Sequence, residues 1–377
     1  MGPLTGVKVV EIASLAPAPF GCMILADMGA EVLRVDRASG QAGVVAPAGP
    51  LDRGRRSIAV NLKDPAGVAV VHELIANADV FVEGFRPGVA ERLGIGPDKL
   101  LELNPKLVYG RMTGWGQDGP LAPRAGHDIN YIAVAGALEP IGRAGERPHA
   151  PLNLLGDFAG GGLFLALGVL AALYERERSG KGQVIDAAMV DGANTLMSFL
   201  HGMRAGGMWP NPRGENMLDG AAPFYDTYET ADGKFMAVGC VEPQFYAELL
   251  DKLEIDASGL PFQIDPAGFD QLKKLIGDAF RTKTRAHWAD LFADSDACVS
   301  PVLSPWEAHE HPHNRARDAF VEVGGVVQPA PAPRFSRTAS AHPVPMDADG
   351  RDLLNTLAAW GITATDAAGL VQSGTVV

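Results

Sequence analysis

Lys8-Val-Val-Glu-Ile12 and Glu31-Val-Leu-Arg-Val35 are short apolar runs separated by a helical pattern from Phe20 to Met28, and this stretch decides the fold. The alternation continues with strand-like runs at Ser57–Asn61, Asp79–Glu83 and Leu107–Arg111 and a helical pattern at Pro65–Asn77. Such alternation is typical of βαβ units, in which helices cover both faces of a parallel sheet. The first 115 residues are therefore predicted to form a Rossmann-like half of an α/β domain.

A dinucleotide site is the first binding function to consider for such a sheet. Asp36 ends the second strand, where dinucleotide-binding proteins place an acid that binds a ribose. The turn after the first strand, Ala13-Ser-Leu-Ala-Pro-Ala-Pro19, however, lacks the G-x-G-x-x-G pattern that cradles a pyrophosphate. No nicotinamide site is predicted, and no cofactor is expected.

The later part of the chain divides into helices, connectors and a smaller α/β unit. A long helix is predicted from about Asp157 to Arg178, followed by a strand that starts at Gln183. Stretches rich in Gly, Pro, Asn or His then flank a compact unit with its own strands and helices. The predicted ranges are 1–200 for a large Rossmann-like domain, 201–223 for a linker, 224–303 for a small domain, 304–330 for a second linker and 331–377 for a C-terminal return to the large domain.

Composition limits the possible partners. The 377 residues carry a net charge of −13, which argues against nucleic acid and anionic membranes. No uncharged apolar run reaches the roughly 18 residues of a membrane span, and the N-terminus lacks a signal-peptide pattern, so a cytoplasmic protein is expected. Residues 1–112 hold 12 basic and 12 acidic residues, which leaves 20 basic and 33 acidic ones for the rest. A polyanionic small molecule would therefore bind to the N-terminal third.

Two segments offer groups for proton chemistry. Arg124-Ala-Gly-His-Asp-Ile-Asn-Tyr131 supplies the imidazole of His127, and Asn153-Leu-Leu-Gly-Asp-Phe-Ala-Gly-Gly-Gly162 supplies the carboxyl group of Asp157. The histidine could be a structural hydrogen-bonding residue, and the aspartate could be a helix N-cap. The glycines after Asp157 weaken a helix, so they indicate that another backbone or a ligand comes close. Free N–H groups at this helix start could stabilise an enolate, while the carboxyl group could donate a proton or attack a thioester.

Basic residues follow several predicted strands. The candidates are Arg34, Arg37, Arg53, Arg55, Arg56, Lys63, Arg86 and Arg92. Parallel sheets bind ligands at the carboxyl ends of their strands, and arginine binds phosphate through two hydrogen bonds. Arg37, Lys63 and Arg86 closely follow apolar strands and are predicted to bind phosphate. The segment His309-Glu-His-Pro-His313 has no standard zinc spacing, so no metal site is predicted.

Seven segments resemble the α-methylacyl-CoA racemases of the class III CoA-transferase family. They are Pro3–Glu11, Leu25–Arg37, Gly84-Phe-Arg-Pro-Gly88, Gly126-His-Asp-Ile-Asn-Tyr131, Asn153–Phe158, Gly180–Asp186 and Asn216–Gly220. The resemblance covers nearly the whole chain and fades after about Ser340. It implies an interlocked homodimer, with a Rossmann-like large domain and a small domain in each subunit and active sites between subunits.

The resemblance also assigns residues. It implies that His127 and Asp157 are the catalytic pair and that Glu242 orients the histidine. It implies CoA binding by Arg37, by Val60, Asn61, Leu62 and Lys63, by Gly84, Phe85 and Arg86, and by Gly126, Asp128, Ile129, Asn130 and Tyr131.

The activity implied is interconversion of (R)- and (S)-2-methylacyl-CoA thioesters by proton transfer at the α-carbon through an enolate. The alternative is CoA transfer, in which Asp157 attacks an acyl-CoA. A histidine in the Gly126–Tyr131 setting favours the racemase.

Overall fold

The computed structural model describes residues 2–38, 49–347 and 353–376. The chain forms two compact units. The large unit comprises Met1–Ala135, Leu152–Leu196 and Arg315–Val377, and the small unit comprises Gly136–Pro151 and Met197–Asn314. Residues 136–151 and 197–200, which the sequence places in the large domain, belong to the small unit, and so does the predicted linker 201–223.

A six-stranded parallel sheet forms the centre of the large unit, as the alternating runs predict. Its strands are β1 (Lys8–Ile12), β2 (Glu31–Arg37), β3 (Arg55–Val60), β4 (Val80–Glu83), β5 (Val108–Thr113) and β6 (Gln183–Ala188), in the order β3-β2-β1-β4-β5-β6. Each predicted strand is present, within three residues at each end. The fold is therefore a mixed α/β fold with a Rossmann-like sheet.

Helices cover both faces of this sheet. In the large unit they are α1 (Pro17–Asp27), α2 (Pro65–Ala76), α3 (Val89–Arg92), α4 (Pro97–Leu103), α5 (Asp128–Val134), a π-helix (Leu154–Leu163), α6 (Phe164–Ser179) and α7 (Met189–Leu196). Adjacent residues of one strand point to opposite faces, so Val9 belongs to one apolar core and Val10 to the other. This two-sided burial explains why the strands are nearly continuous apolar runs.

The predicted helix from Asp157 to Arg178 is in fact two helices. Residues Leu154–Leu163 form a π-helix, and α6 continues it to Ser179. The glycines allow this close packing: a Cβ on Gly162 would lie 2.3 Å from the carbonyl oxygen of Pro17, and one on Gly160 would lie 2.8 Å from the amide nitrogen of Ala193. The expectation that another backbone comes close is confirmed, and the backbones are those of α1 and α7.

The continuous helical segment Leu154–Ser179 is long and apolar enough to cross a membrane, judged by length and composition alone. Its most apolar 18-residue window has a mean hydropathy of 1.8. Of that window 39% is buried, and Leu165, Ala166 and Val169 of the segment lie in one of the two apolar cores of the large unit.

The small unit contains an antiparallel sheet and several helices. Its strands are β7 (Asp226–Glu229), β8 (Phe235–Val238) and β9 (Val299–Pro301). Its helices are α8 (Ser198–Ala205), α9 (Pro243–Lys252), α10 (Phe269–Phe280) and α11 (Arg285–Phe292), and α12 (Pro312–Ala316) begins in this unit and ends in the large one. β7, β8 and the helices α9 to α11 match the predicted elements closely. β9 was not predicted, because a three-residue strand shows no alternation.

The C-terminal part of the large unit begins with a hairpin. It consists of β10 (Phe320–Val323) and β11 (Val326–Pro329), followed later by α13 (Leu353–Ala359) and α14 (Ala364–Gln372). The predicted linker 304–330 is wrong over this hairpin. Gly324 and Gly325 have φ values of 59° and 80°, which suits a tight hairpin turn. The apolar residues on both sides of these glycines were the signal for it.

Arg53 attaches the hairpin to α1. Its guanidinium forms a salt bridge with Asp27 and donates to the side-chain oxygen of Gln328 at 2.9 Å and to the carbonyl of Pro329 at 2.6 Å. Asp347 extends this connection, because its backbone pairs with the strand β3. The C-terminal segment thus becomes part of the large unit.

Candidate active site

His127 lies immediately before α5, where its extended backbone makes it the N-cap of that helix. Its backbone N–H donates to the side-chain oxygen of Asn130 at 3.0 Å, and its carbonyl accepts from the N–H of Asn130. The backbone is therefore held on both sides while the side chain remains exposed. An imidazole held in this way is accessible to a ligand.

Tyr131 fixes the turn before His127. Its hydroxyl donates to the carbonyl of Gly126, and its ring packs edge-on against Trp115 with centroids 4.8 Å apart. Gly126 must be glycine here, because a Cβ would lie 2.7 Å from the tyrosine ring. The aromatic pair thus sets the position of the His127 loop.

Asp128 connects the two halves of the site. Its carboxylate oxygen Oδ2 accepts from the N–H of Gly156 at 2.6 Å and from the N–H of Asp157 at 2.7 Å. Two of the N–H groups at this helix start, those of Gly156 and Asp157, are therefore used within the protein and are not available to an enolate oxygen. The negative charge of Asp128 instead occupies the electropositive start of the π-helix.

The carboxyl group of Asp157 is half-buried beside these residues. Burial raises its pKa above the usual value, the amide of Asn153 opposes the shift by donating to Oδ2 at 3.1 Å, and the negative charge of Asp128 raises the pKa further. The positive charge of His127 opposes this shift as the smallest of the four effects, and the bond from the N–H of Asp157 to Asp128 brings the two segments together. Asp157 is therefore suited to hold a proton and to release it.

The predicted CoA-binding residues lie at the carboxyl edge of the sheet. Arg37 is the last residue of β2, Val60 ends β3 before Asn61, Leu62 and Lys63, and Gly84, Phe85 and Arg86 follow β4. This is the edge at which open parallel sheets bind ligands.

The ion pairs separate structural cations from available ones. Arg34, Arg53 and Arg55 each form salt bridges, so their charge is used within the protein. Arg37, Lys63 and Arg86 are exposed, and none of them has a salt-bridge partner within residues 2–38, 49–347 and 353–376. These three cations are free to bind phosphate.

A surface depression of about 510 Å³ lies next to β3 and α2. Lys63 and Arg92 line it together with apolar side chains such as Leu62, Val68 and Leu93. Cations beside an apolar surface are suited to a ligand with phosphates and an aromatic ring. From the sequence, Arg92 was one of the eight basic candidates but not one of the three residues predicted to bind phosphate.

The remaining predicted residues lie in two places. Ile129, Asn130 and Tyr131 belong to the first turn of α5, beside His127. Glu242 belongs to the small unit, where it precedes α9 and has an exposed side chain. Its contact with the imidazole of His127 stays a prediction.

Sequence reasoning missed one polar neighbour of Asp157. Asn153 lies four residues earlier, so the two side chains meet across one turn of the π-helix. The spacing i, i+4 between an amide and a carboxyl group was the available signal.

No metal cluster accompanies these groups. Among the residues that the structure describes, no three His, Cys, Asp or Glu side chains are placed to hold one ion. The segment from His309 to His313 instead contains an internal hydrogen bond, in which the ring of His311 accepts from the N–H of His313.

An α/β protein with free cations at the carboxyl edge of its sheet and an imidazole–carboxyl pair nearby is equipped to bind a phosphorylated ligand and move a proton. Residues 4–349 match the family model of CoA-transferase family III, and the chain belongs to this family. It is similar to the α-methylacyl-CoA racemases of Mus musculus and Homo sapiens, at 53% and 50% identity over 89% of this chain and 87% of each relative. A crystal structure of a CaiB/BaiF family protein from Brucella suis has a TM-score of 0.79, with 25% identity, 94% of this chain and 99% of that chain covered.

Proposed function

We propose that this protein is an isomerase that interconverts the (R) and (S) forms of 2-methylacyl-CoA thioesters. The observation that carries the proposal is that Asp128, the residue after His127, accepts from the N–H of Asp157, which brings the segments of the exposed imidazole and the half-buried carboxyl group together. The identity of about one half to two mammalian racemases supports the same reaction. Its membership of CoA-transferase family III supports a CoA thioester as substrate.

The reaction needs a base on one face of the α-carbon and an acid on the other. Neutral His127 takes the α-proton, the C–H electron pair moves into the thioester carbonyl to form an enolate, and protonated Asp157 returns a proton to the opposite face. For the other enantiomer the ionised carboxylate is the base and the imidazolium is the acid. Proton transfer by positioned groups contributes roughly 10²–10⁴-fold to the rate.

The enolate oxygen needs hydrogen-bond donors as well, because an α-proton is far less acidic than any side-chain acid. The N–H groups of Gly156 and Asp157 do not provide them, since both donate to Asp128. We propose that other groups of the site donate hydrogen bonds to the enolate oxygen. We also propose that no separate cofactor is needed, because the thioester itself makes the α-proton acidic.

CoA transfer is the second candidate, since family III includes it by name. In that reaction Asp157 attacks the acyl carbonyl and CoA leaves as a thiolate. Both reactions use the ionised carboxylate of Asp157, but only proton transfer also needs an imidazole, which His127 supplies with an exposed side chain. The presence of His127 therefore favours proton transfer over transfer of CoA.

Deuterium incorporation separates the two reactions. The protein is incubated in deuterated water with one enantiomer of a 2-methylacyl-CoA, and the products are resolved by chiral chromatography and mass spectrometry. We expect both enantiomers to carry one α-deuterium. Retained α-protium, together with transfer of CoA to an added carboxylate, would establish the transferase instead.

Asn153→Ala is expected to move the acid limb of the kcat/KM profile to higher pH. The amide of Asn153 stabilises the ionised form of Asp157, so its removal raises the pKa of Asp157 further. The reactive enzyme holds one proton on the His127–Asp157 pair, and the second proton that inactivates it then binds at a higher pH. Initial rates of racemisation between pH 5 and 9 measure the limb.

Asn104→Ala is the matched control, because the amide of Asn104 donates to two backbone carbonyls remote from the proposed chemistry. This variant should lose stability without moving the acid limb. An acid limb that stays in place in Asn153→Ala contradicts the proposed tuning of Asp157.

We further propose that the chain acts as an interlocked homodimer in the cytoplasm, in fatty acid metabolism. The exposed apolar side chains of the segment 154–179 support a partner: Leu163, Leu167 and Tyr174 are 49%, 57% and 68% exposed on one side of the helix. Exposed apolar patches of this kind are typical of interaction surfaces. Sedimentation velocity is expected to give the mass of two chains.

A further inference from the structure

Glu83 ends β4 directly before the loop that is proposed to bind CoA, and its side chain is fully buried. Its oxygen Oε2 accepts from the N–H of Phe85 at 2.6 Å, and Oε1 accepts from Nε of Arg111 at 3.0 Å. Both carboxylate oxygens are therefore used. The first bond determines the direction in which the chain leaves the strand.

Arg111 extends this contact to the far end of the same loop. It lies opposite Glu83 in the register of β4 and β5, and its nitrogen Nη1 forms a salt bridge with Oε1 of Glu91 in α3 at 2.9 Å. One guanidinium thus binds two carboxylates that stand eight residues apart. We call Glu83, Arg111 and Glu91 the Arg111 clamp, because they hold both ends of residues 84–90.

One cation lies in this loop and a second lies directly after its far end. Arg86 is exposed and has no salt-bridge partner in the described part of the chain, while Arg92 follows Glu91 and lines the 510 Å³ depression with Lys63. The path of the loop is narrow, because a Cβ on Gly84 would lie 2.9 Å from the Cβ of Ser14. Small changes in this path would displace both arginines.

Buried ion pairs are poor sources of stability, since desolvation of the charges offsets their attraction. A hydrophobic pair could join β4 to β5 equally well, but it could not bind the N–H of Phe85 or the carboxylate of Glu91. The arrangement therefore indicates control of geometry. Phosphate recognition needs such control, because both hydrogen bonds of an arginine must be aligned.

We propose that the Arg111 clamp positions Arg86 and Arg92 to bind the phosphate groups of the CoA thioester, which makes Glu83, Arg111 and Glu91 positioning residues for substrate binding. This inference rests on the proposed function. The clamp acts through the loop, so its loss weakens CoA binding and leaves proton transfer by His127 and Asp157 nearly unchanged.

Glu83→Gln tests the inference. The amide keeps the size of the side chain but presents an NH₂ group to a donor, so one of the two bonds is lost. We expect the Kd for CoA, measured by calorimetry, and the KM for 2-methylacyl-CoA to rise about tenfold, the loss expected for one charged hydrogen bond. The kcat should change less than twofold. Glu91→Gln, whose side chain is partly exposed in its salt bridge, should give a smaller rise in both constants.

Asp27→Asn is the matched control, since Asp27 and Arg53 form a buried salt bridge in the same unit. It should lower the Tm and leave the Kd for CoA unchanged. If Glu83→Gln and Glu91→Gln behave like this control, with lower Tm and unaltered Kd, the clamp is only structural and the inference is overturned. If Glu83→Gln does not fold, Glu91→Gln decides by the same criterion.

A pH profile provides a second readout. Burial raises the pKa of Glu83 to about 7, against the opposing effects of the Phe85 N–H and the positive charge of Arg111, while the negative charge of Glu91 raises it further. A proton on Glu83 removes one acceptor, so CoA binding should weaken as the pH falls from 8 to 6. Titration of the CoA phosphate affects every variant and cancels in the ratio of Kd values. We expect the Kd of Glu83→Gln divided by the Kd of wild type to decrease towards low pH, because protonation of Glu83 weakens binding by the wild type alone. A ratio of Kd values that does not change with pH contradicts the inference.

The wild-type protein separates this inference from the proposed function. Racemisation and CoA binding by wild type, with unchanged Kd in both clamp variants, overturn only the clamp. Failure of the wild-type protein to bind CoA or to exchange the α-proton overturns the proposed function itself.

Discussion

Asp157→Asn is expected to lower the rate of racemisation of a 2-methylacyl-CoA by about 10²–10⁴-fold, the contribution of one positioned acid or base. Asparagine has nearly the size of aspartate, but it can neither supply nor accept the proton. His127→Ala should cause a loss of similar size. The two losses should not add, since inversion needs both groups and either substitution already removes one face.

The partial reactions give a sharper result than the rates. In Asp157→Asn, His127 can still remove and return the proton on its own face, so one enantiomer should acquire α-deuterium without inversion. In His127→Ala, the carboxyl group should do the same for the opposite enantiomer. Mass spectrometry after chiral separation measures both. Exchange of the same enantiomer in both variants would contradict the placement of the two groups on opposite faces.

Circular dichroism provides the control for folding. Asp157 is half-buried, and the bonds from the N–H groups of Gly156 and Asp157 to Asp128 do not involve its side chain. The Tm of Asp157→Asn should therefore stay close to that of wild type. Full racemisation in this variant would remove Asp157 from the mechanism.

The sheet could be predicted because its signal is local. Strands such as Lys8–Ile12 and Glu31–Arg37 are buried on both faces and must be apolar, while turns and helix starts separate them. The hairpin of β10 and β11 was not predicted, because the Pro-, His- and Arg-rich composition of residues 304–345 indicated a connector and outweighed the short apolar runs on either side of its two glycines. β9 was too short to show any pattern. Local periodicity therefore predicted the large elements and failed for the small ones.

The site was predictable only in part, since its arrangement depends on contacts between distant segments. The sequence shows Asp128 beside His127, but not that its carboxylate binds N–H groups 28 and 29 residues later. It shows three glycines after Asp157, but not that they permit a π-helix packed on two other helices. The identities of the candidate residues thus came from the sequence, and their environment came from the fold.

The buried charges of the strands β1 and β3 were not predictable either. Arg55 appears in the sequence as one more basic residue after a loop, yet its side chain is fully buried and lies 3.0 Å from the fully buried carboxylate of Glu11. It also donates to the carbonyls of Pro19 and Leu51, so it joins β3 to α1 and to the turn before β3. Periodicity gives no indication of such a pair, because both residues occupy strand positions where apolar side chains are normal.

Arg55→Ala is expected to lower the free energy of unfolding by about 3–5 kcal/mol, the usual loss when one partner of a buried ion pair is removed. The variant leaves Glu11 in the core without its salt-bridge partner and leaves the carbonyls of Pro19 and Leu51 without this donor. Because domains are stable by only about 5–15 kcal/mol, this is a large fraction of the total. Urea unfolding at neutral pH, followed by circular dichroism, measures the difference.

The double variant Glu11→Leu, Arg55→Met separates the cost of an unpaired charge from the value of the pair. It removes both charges and fills the space with apolar groups, so it should be more stable than Arg55→Ala. Lys99→Ala is the exposed control: Lys99 and Glu102 are also 3.0 Å apart, but solvent screens them, and the loss should be less than about 1 kcal/mol. Equal losses in Arg55→Ala and the double variant would show that the pair itself stabilises the fold.

The pH dependence of Arg55→Ala follows from Glu11. Burial raises the pKa of Glu11 in the folded protein even with Arg55 present, and loss of the cation raises it further. The folded variant therefore binds the Glu11 proton more tightly than the unfolded chain does. The destabilisation by an unpaired Glu11 should be absent below the unfolded-state pKa and should grow as the pH rises towards the folded-state pKa. Urea midpoints of Arg55→Ala and wild type should thus diverge with rising pH, and a constant difference would mean that the lost carbonyl hydrogen bonds, and not the charge of Glu11, account for the effect.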